Sequence, residues 1–258
     1  MRVYRRKRKT KKVLGIIVLT CSLFLILVAG FLFLPIFKIK SVEISGNKEI
    51  NAEEIKGVLN YQNIFLANES KIKNDLLKKI PLISELEVKK NLIKREIKIN
   101  IKEREEFGIV CRAEKIQEKN IEIDQTKDCF YIDNHGVIFA EALQTSGSLI
   151  ILIKDYSGRD YKIGENIFEE KTMNFISQTK EFLLSEINLK VVDFDVLSFP
   201  ADDMKVITSE GWYILFNLQK EAEEQLSALK GVLEEKIKDQ RENLEYVDLR
   251  IENRVYYK

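Results

Sequence analysis

Hydrophobic positions along the chain follow three different patterns, and each pattern predicts a different kind of element. All 22 residues of the segment 13–34 are uncharged, and most of them are apolar. Apolar and polar residues alternate strictly over residues 97–102, which is typical of a half-buried strand. Leu226, Leu229, Leu233 and Ile237 recur every three or four residues, which predicts an amphipathic helix. The chain is therefore expected to combine a membrane helix with a folded α+β part.

The uncharged segment 13–34 has the length of a membrane span. As a helix it would extend roughly 33 Å, which matches a hydrocarbon core of about 30 Å. A cleaved signal peptide is the alternative, but its apolar core typically has about 7 to 15 residues. We therefore predict a transmembrane helix over residues 13–36 that stays attached to the rest of the chain.

Positive charge is concentrated before this segment. Eight of the 42 Lys and Arg residues lie within residues 1–12, which contain no acidic residue. Because Lys and Arg mark the cytoplasmic side, residues 1–12 are predicted to be a basic cytoplasmic tail, with the domains that follow outside the cell membrane. The formal net charge of the whole chain is only +1, so the remainder is acidic, and we expect no nucleic-acid partner.

Residues 37–104 show the order strand, helix, helix, strand, strand. The first strand ends at the turn signal Gly46-Asn47. Asn51 and Glu54 have the spacing of a helix capping box, and Pro81 ends a second helix that carries Ile72 and Leu76 on one face. We predict a small β-α-α-β-β domain in which two helices cover one face of a sheet.

Residues 105–258 predict a mixed domain with a mainly antiparallel sheet covered by helices. A hairpin is expected around Asp133 to Gly136, with helices at about residues 169–189 and 221–241. Three strands are expected between those helices, at residues 191–197, 204–208 and 212–218.

Two of the three cysteines fall outside the predicted membrane helix, which contains Cys21. Cys111 and Cys129 bracket a connection between two predicted strands, and an oxidising compartment would permit a disulfide between them. The alternative is two separate buried thiols, which behave as small apolar side chains. Both interpretations stay open on the sequence.

The last residues alternate in the manner of a long terminal strand. Val247, Leu249, Ile251, Val255 and Tyr257 fall on one phase, and only Asn253 interrupts it, which we interpret as a bulge. Such a strand at a sheet edge could accept a strand from another protein. The alternative is a strand paired on both sides.

Several of these segments together resemble a known family. Three motifs resemble those of a POTRA domain, a module that docks proteins. They are Val42-x-Ile44-x-Gly46-Asn47, Leu77-x-x-Ile80-Pro81 and Ile97-x-Ile99-x-Ile101-x-Glu103-Arg104. Residues 246–258 resemble the terminal signature of the FtsQ/DivIB cell-division family, whose members have a basic tail, a single span, a POTRA domain and a β domain in this order.

The resemblance implies a non-catalytic scaffold and regulator of the divisome at the division septum, which helps to control septal peptidoglycan synthesis. Its implied partners are the small bitopic proteins FtsB or DivIC and FtsL, together with other divisome proteins. The terminal strand is the part that would bind the partner. Its residues are Asp248, Leu249, Arg250, Ile251, Glu252, Asn253, Arg254, Val255, Tyr256 and Tyr257.

An enzyme and a scaffold unrelated to division are the two alternative function classes. An enzyme is disfavoured because His135 is the only histidine and neither a Gly-rich phosphate loop nor a Gly-x-Ser-x-Gly motif occurs. We accordingly predict no catalytic residue, no cofactor and no metal site. A membrane-anchored POTRA-type scaffold for envelope assembly, unrelated to division, remains as the alternative function.

Overall fold

A computed structural model describes residues 4–32, 34–59, 63–118, 121–143, 150–197 and 203–258. The chain divides into two compact units, Met1–Glu103 and Arg104–Lys258.

The first unit begins with helix α1, Tyr4–Leu32, which is followed by a short 3-10 helix, Pro35–Phe37. The apolar side chains described between Val13 and Leu27 are 51% to 68% exposed. In the part of the chain that the structure describes, no helix is both long enough and apolar enough to cross a membrane. Residues 1–3, Phe33 and the side chains of the predicted basic tail lie outside the described residues.

The rest of the first unit has the predicted β-α-α-β-β order. Its elements are β1 (Ser41–Ser45), α2 (Ala52–Val58), α3 (Glu69–Lys79), β2 (Ile83–Asn91) and β3 (Glu96–Glu103). The three strands form a sheet in the order β1-β3-β2, with β1 parallel and β2 antiparallel to β3. Ile55 and Leu76 of the helices are buried together with Ile97, Ile99 and Ile101 of β3. The period of apolar residues thus predicted the order of these five elements correctly.

The turn after β1 is held by one carboxylate and one glycine. The Glu103 carboxylate accepts hydrogen bonds from the backbone N–H groups of Lys48, Glu49 and Ile50 at 2.7, 3.0 and 2.9 Å. Gly46 has a φ of +83°, and a Cβ there would lie 2.0 Å from the Ile101 carbonyl oxygen. Both residues belong to the segments that resemble a POTRA domain, so those segments close the turn between β1 and α2.

The second unit contains one nine-stranded sheet within the described residues. Its strands are β4 (Gly108–Glu118), β5 (Ile121–Ile132), β6 (Ile138–Ala142), β7 (Ile151–Asp155), β8 (Val191–Val196), β9 (Asp203–Thr208), β10 (Tyr213–Asn217), β11 (Tyr246–Asp248) and β12 (Tyr256–Tyr257). The spatial order is β12-β11-β10-β9-β8-β7-β4-β5-β6. Five of the eight described pairings are antiparallel, so the predicted mixed domain with a mainly antiparallel sheet is confirmed.

Two helices cover one face of this sheet. Helix α4, Glu170–Glu186, buries Phe175, whose ring meets that of Phe216 on β10 edge to face at 5.4 Å. Helix α5, Ala222–Val232, buries Leu226 and Leu229 in the same core. A single helix was predicted to continue to about residue 241, whereas the chain changes to a π-helical turn, Leu233–Ile237, and a 3-10 helix, Lys238–Asn243.

The opposite face carries a disulfide. Cys111 and Cys129 are direct partners in the antiparallel pair β4 and β5, and the structure joins them by a disulfide with their Cα atoms 4.1 Å apart. Because side chains alternate along a strand, Cys111 lies on the face away from that of Val110, which belongs to the core under the helices. The predicted hairpin also forms, with Asp133 Oδ1 accepting from the backbone N–H of Val137 at 2.9 Å.

Candidate functional site

The end of the chain forms two short strands instead of the predicted long one, so the prediction of a continuous terminal strand is wrong. Strand β11 ends at Asp248, and β12 returns antiparallel to it with Tyr257 opposite Val247. The reversal passes through Asn253, which has a φ of +56°, a left-handed conformation that asparagine tolerates better than most residues. The residue interpreted as a bulge is therefore a turn residue.

The hairpin is attached to the sheet through β11. This strand pairs in parallel with β10, and the Leu249 N–H extends the pairing by donating to the Leu215 carbonyl oxygen at 2.9 Å. Val247 and Leu249 are 0% and 4% exposed and belong to the main core. The start of the terminal segment is therefore a fixed part of the domain.

Strand β12 forms one edge of the described sheet. The Lys258 N–H donates to the Tyr246 carbonyl oxygen at 3.2 Å, and the Tyr246 N–H donates to the Lys258 carbonyl oxygen at 3.4 Å. Bonded and non-bonded pairs alternate along an antiparallel ladder, so the neighbouring pair of Val247 and Tyr257 is a non-bonded one. The backbone N–H and C=O of Tyr257 therefore point away from β11, towards the edge where another strand can pair.

Arg250 joins this segment to the body of the sheet. Its guanidinium donates to both carboxylate oxygens of Asp248 at 2.9 and 2.7 Å, and to Asp203 Oδ2 at 2.7 Å. The hydrogen bond from Arg250 lowers the pKa of Asp248, and the same bond, followed by that with Asp203, raises the pKa of Arg250. We call Asp203, Asp248 and Arg250 the terminal clamp.

A groove of ≈ 870 Å³ lies between α5 and the terminal segment. Apolar residues of both walls line it, among them Ala228 and Val232 from α5 and Ile251 from the turn. Ile251 is 51% exposed. Four glutamates and two basic residues also line the groove, namely Glu221, Glu224, Glu235, Glu252, Lys220 and Arg254. The lining of the groove therefore combines apolar side chains with a net negative charge.

The ten predicted site residues divide into two groups. Asp248, Leu249 and Arg250 are bound inside the domain, and Val255 packs partly against its core. The side chains open to solvent are those of Ile251, Glu252, Asn253, Arg254, Tyr256 and Tyr257. Sequence reasoning missed Asp203, which lies 47 residues before Arg250 and which no local pattern distinguishes from the other carboxylates.

Comparisons with known proteins agree with this architecture. The model of the POTRA domain, FtsQ-type, matches residues 37–104, the part of the chain that folds as the β-α-α-β-β sheet. Cell division protein DivIB of Clostridium tetani is 27% identical over 178 residues, which cover 67% of this chain and 60% of that protein. Cell division protein DivIB of Clostridium botulinum, strain Loch Maree, is 30% identical over 164 residues, covering 61% of this chain and 57% of that protein.

An FtsQ-type POTRA domain and curated homologues named DivIB support the assignment of this chain to the FtsQ/DivIB family. The chain spans 57% to 64% of the length of the curated DivIB proteins of Clostridium tetani, Clostridium botulinum and Clostridium acetobutylicum. The Asp-Leu-Arg triplet at residues 248–250 resembles part of the terminal FtsQ/DivIB signature, and its Asp248 and Arg250 belong to the terminal clamp. The solvent-exposed side chains of residues 251–254 and 256–258 come after that triplet.

Proposed function

We propose that this FtsQ/DivIB chain is a non-catalytic cell-division scaffold that binds a strand from another division protein. The curated relatives carry the name cell division protein, which supports the role in division. The observation that carries the binding mode is the outward N–H and C=O of Tyr257 at the sheet edge, inferred from the β11 and β12 pairing.

The proposed partner is a small bitopic protein of the FtsB or DivIC kind, bound together with a protein of the FtsL kind. Its strand would pair with β12, and its neighbouring segment would lie in the groove beside α5. Exposed Tyr256, Tyr257 and Ile251 would provide apolar contact, while the glutamates of the groove favour a basic or neutral segment. Partner binding in this arrangement would help to control septal peptidoglycan synthesis without any chemistry on this chain.

We further propose that the chain is a single-pass protein of the bacterial cell membrane at the division septum. The support is the uncharged segment 13–34 and the basic residues before it. In this arrangement the N-terminus is cytoplasmic, and the POTRA domain and the β domain lie outside the membrane.

The test is to replace Tyr257 in the full chain by proline and, as a matched control, by alanine. Proline removes the outward N–H, which is not bonded within the sheet, whereas alanine removes the ring but keeps the donor. Affinity for the FtsB or DivIC homologue of the same organism is measured with both proteins in detergent. We expect Tyr257→Pro to weaken binding by about tenfold, since one lost net hydrogen bond accounts for up to ~1.5 kcal/mol.

Tyr257→Ala is expected to weaken binding less than Tyr257→Pro. Equal and full affinity of both variants would exclude strand pairing at β12. If the unmodified chain bound no bitopic division protein, the scaffold for envelope assembly would become the better proposal.

A further inference from the structure

Three separate segments of the first unit meet at one end of the POTRA domain. The Arg95 Nη1 donates to the Ile36 carbonyl oxygen at 2.9 Å, and the Lys40 N–H donates to the Arg95 carbonyl oxygen at 2.8 Å. The Ile64 N–H donates to the Phe37 carbonyl oxygen at 3.0 Å. Residues 34–40, 63–66 and 92–95 are thereby joined into one surface, which we call the POTRA tip.

The POTRA tip exposes a group of large apolar side chains. The relative exposures are 40% for Leu34, 56% for Ile36, 47% for Phe65, 51% for Leu66, 45% for Leu92 and 95% for Ile93. The Phe37 and Phe65 rings meet edge to face at 5.0 Å, so the first two segments are in direct contact. Single exposed apolar residues are common on protein surfaces, but a group that shares one surface marks an interaction site.

The charge and position of the POTRA tip indicate what covers it. Its three segments contain Lys38, Lys40, Lys94 and Arg95 and no acidic residue. Apolar side chains beside Lys and Arg suit the boundary between lipid tails and anionic headgroups. The tip begins at Leu34, the last residue of the uncharged segment 13–34, so a chain anchored by that segment holds the tip within a few residues of the membrane surface.

We propose that the POTRA tip docks on the outer surface of the membrane, with Ile93 and its apolar neighbours inserted among the lipids and the basic side chains at the headgroups. This inference rests on the proposed membrane anchor. The docked tip would attach the POTRA domain to the membrane at a second point besides the anchor. This attachment would restrict the tilt of the domain, and so fix the height above the membrane at which it meets other division proteins.

The test places a tryptophan at the tip and measures its contact with lipid. The chain has a single tryptophan, Trp212, which is buried in the second unit at 0% exposure and gives a constant background. Ile93→Trp and the control Leu143→Trp are made in the full chain, since Leu143 is 86% exposed but belongs to the second unit. Both are reconstituted into phosphatidylcholine and phosphatidylglycerol vesicles, with and without bromine on the acyl chains.

Flotation of the vesicles reports the anchor, and bromine quenching reports the docking. We expect the unmodified chain and both variants to float, with the added fluorescence of Ile93→Trp quenched at least twofold more than that of Leu143→Trp. Equal quenching in floating vesicles would overturn the docking and leave the anchor intact. Failure of the unmodified chain to float would overturn both.

Discussion

Replacing Arg250 by glutamine removes the cation of the terminal clamp and keeps a side chain of similar shape. Asp203 and Asp248, whose side chains are each 14% exposed, would then face each other without a positive charge between them. The Leu249 and Lys258 N–H groups, which bond to Leu215 and Tyr246, should open more often because the segment has lost its link to β9.

The size of the effect follows from the three hydrogen bonds and the exposure of the guanidinium. A hydrogen bond to a charged group contributes about 1.5 to 3 kcal/mol when buried, and an exposed ion pair contributes at most about 1 kcal/mol. The Arg250 side chain is 35% exposed, so solvent screening reduces the free energy that the whole clamp contributes. The contribution therefore lies towards the lower end of these two ranges. We expect a loss of about 1 to 2 kcal/mol, which corresponds to a 5- to 30-fold increase in local opening.

Amide hydrogen exchange of the C-terminal peptide measures this opening directly. Lys230→Gln is the matched control, because Lys230 is also 35% exposed and pairs with Glu186, away from the terminal segment. Arg250→Lys should restore only part of the protection, since a lysine cannot bond both oxygens of Asp248 as the planar guanidinium does. Unchanged exchange of Leu249 and Lys258 in Arg250→Gln would refute the role of the clamp.

Three further predictions concern stability. Replacing Cys111 and Cys129 by serine should lower the free energy of unfolding by about 3 kcal/mol for a separation of 18 residues, and an unchanged denaturation midpoint would contradict this. Because the folded pKa of Asp248 is lowered by Arg250, the clamp stabilises the hairpin fully above the unfolded pKa of about 3.9 and loses this effect as the pH falls through the folded pKa. Terminal exchange corrected for its intrinsic rate should therefore rise below about pH 4, whereas Asp248→Asn should lack that rise. Gly46→Ala should destabilise the POTRA domain by about 2 kcal/mol or more in thermal unfolding, whereas Gly57→Ala, in α2 with nothing within 4 Å of its Cβ, should be neutral or stabilising.

The POTRA domain could be predicted from the sequence because its signals are local. Strict alternation defines β3, helical spacing defines α3, and Pro81 follows that helix closely. In each element the apolar residues also lie on the side that packs into the core, so the pattern in the sequence agrees with the packing.

The terminal hairpin could not be predicted because its two strands share one phase. The alternation of apolar and polar residues can continue unchanged from one strand, through a turn, into the next strand. The period alone therefore does not distinguish one long strand from β11 followed by β12. Asn253 was the available signal, because this polar residue interrupts the apolar phase at the position where the chain reverses. The Asp203 contact and the parallel pairings of β7 depend on residues far apart in the chain, which a local pattern cannot specify.

The most direct test of strand pairing is amide exchange at Tyr257 in a complex of the full chain with its FtsB or DivIC homologue, resolved to single residues. We expect the Tyr257 N–H, which points to the open edge, to become at least tenfold more protected when the partner binds. The Lys258 N–H, which already bonds to Tyr246, should change much less. A complex that forms while Tyr257 exchanges as fast as in the free chain would contradict strand addition at β12.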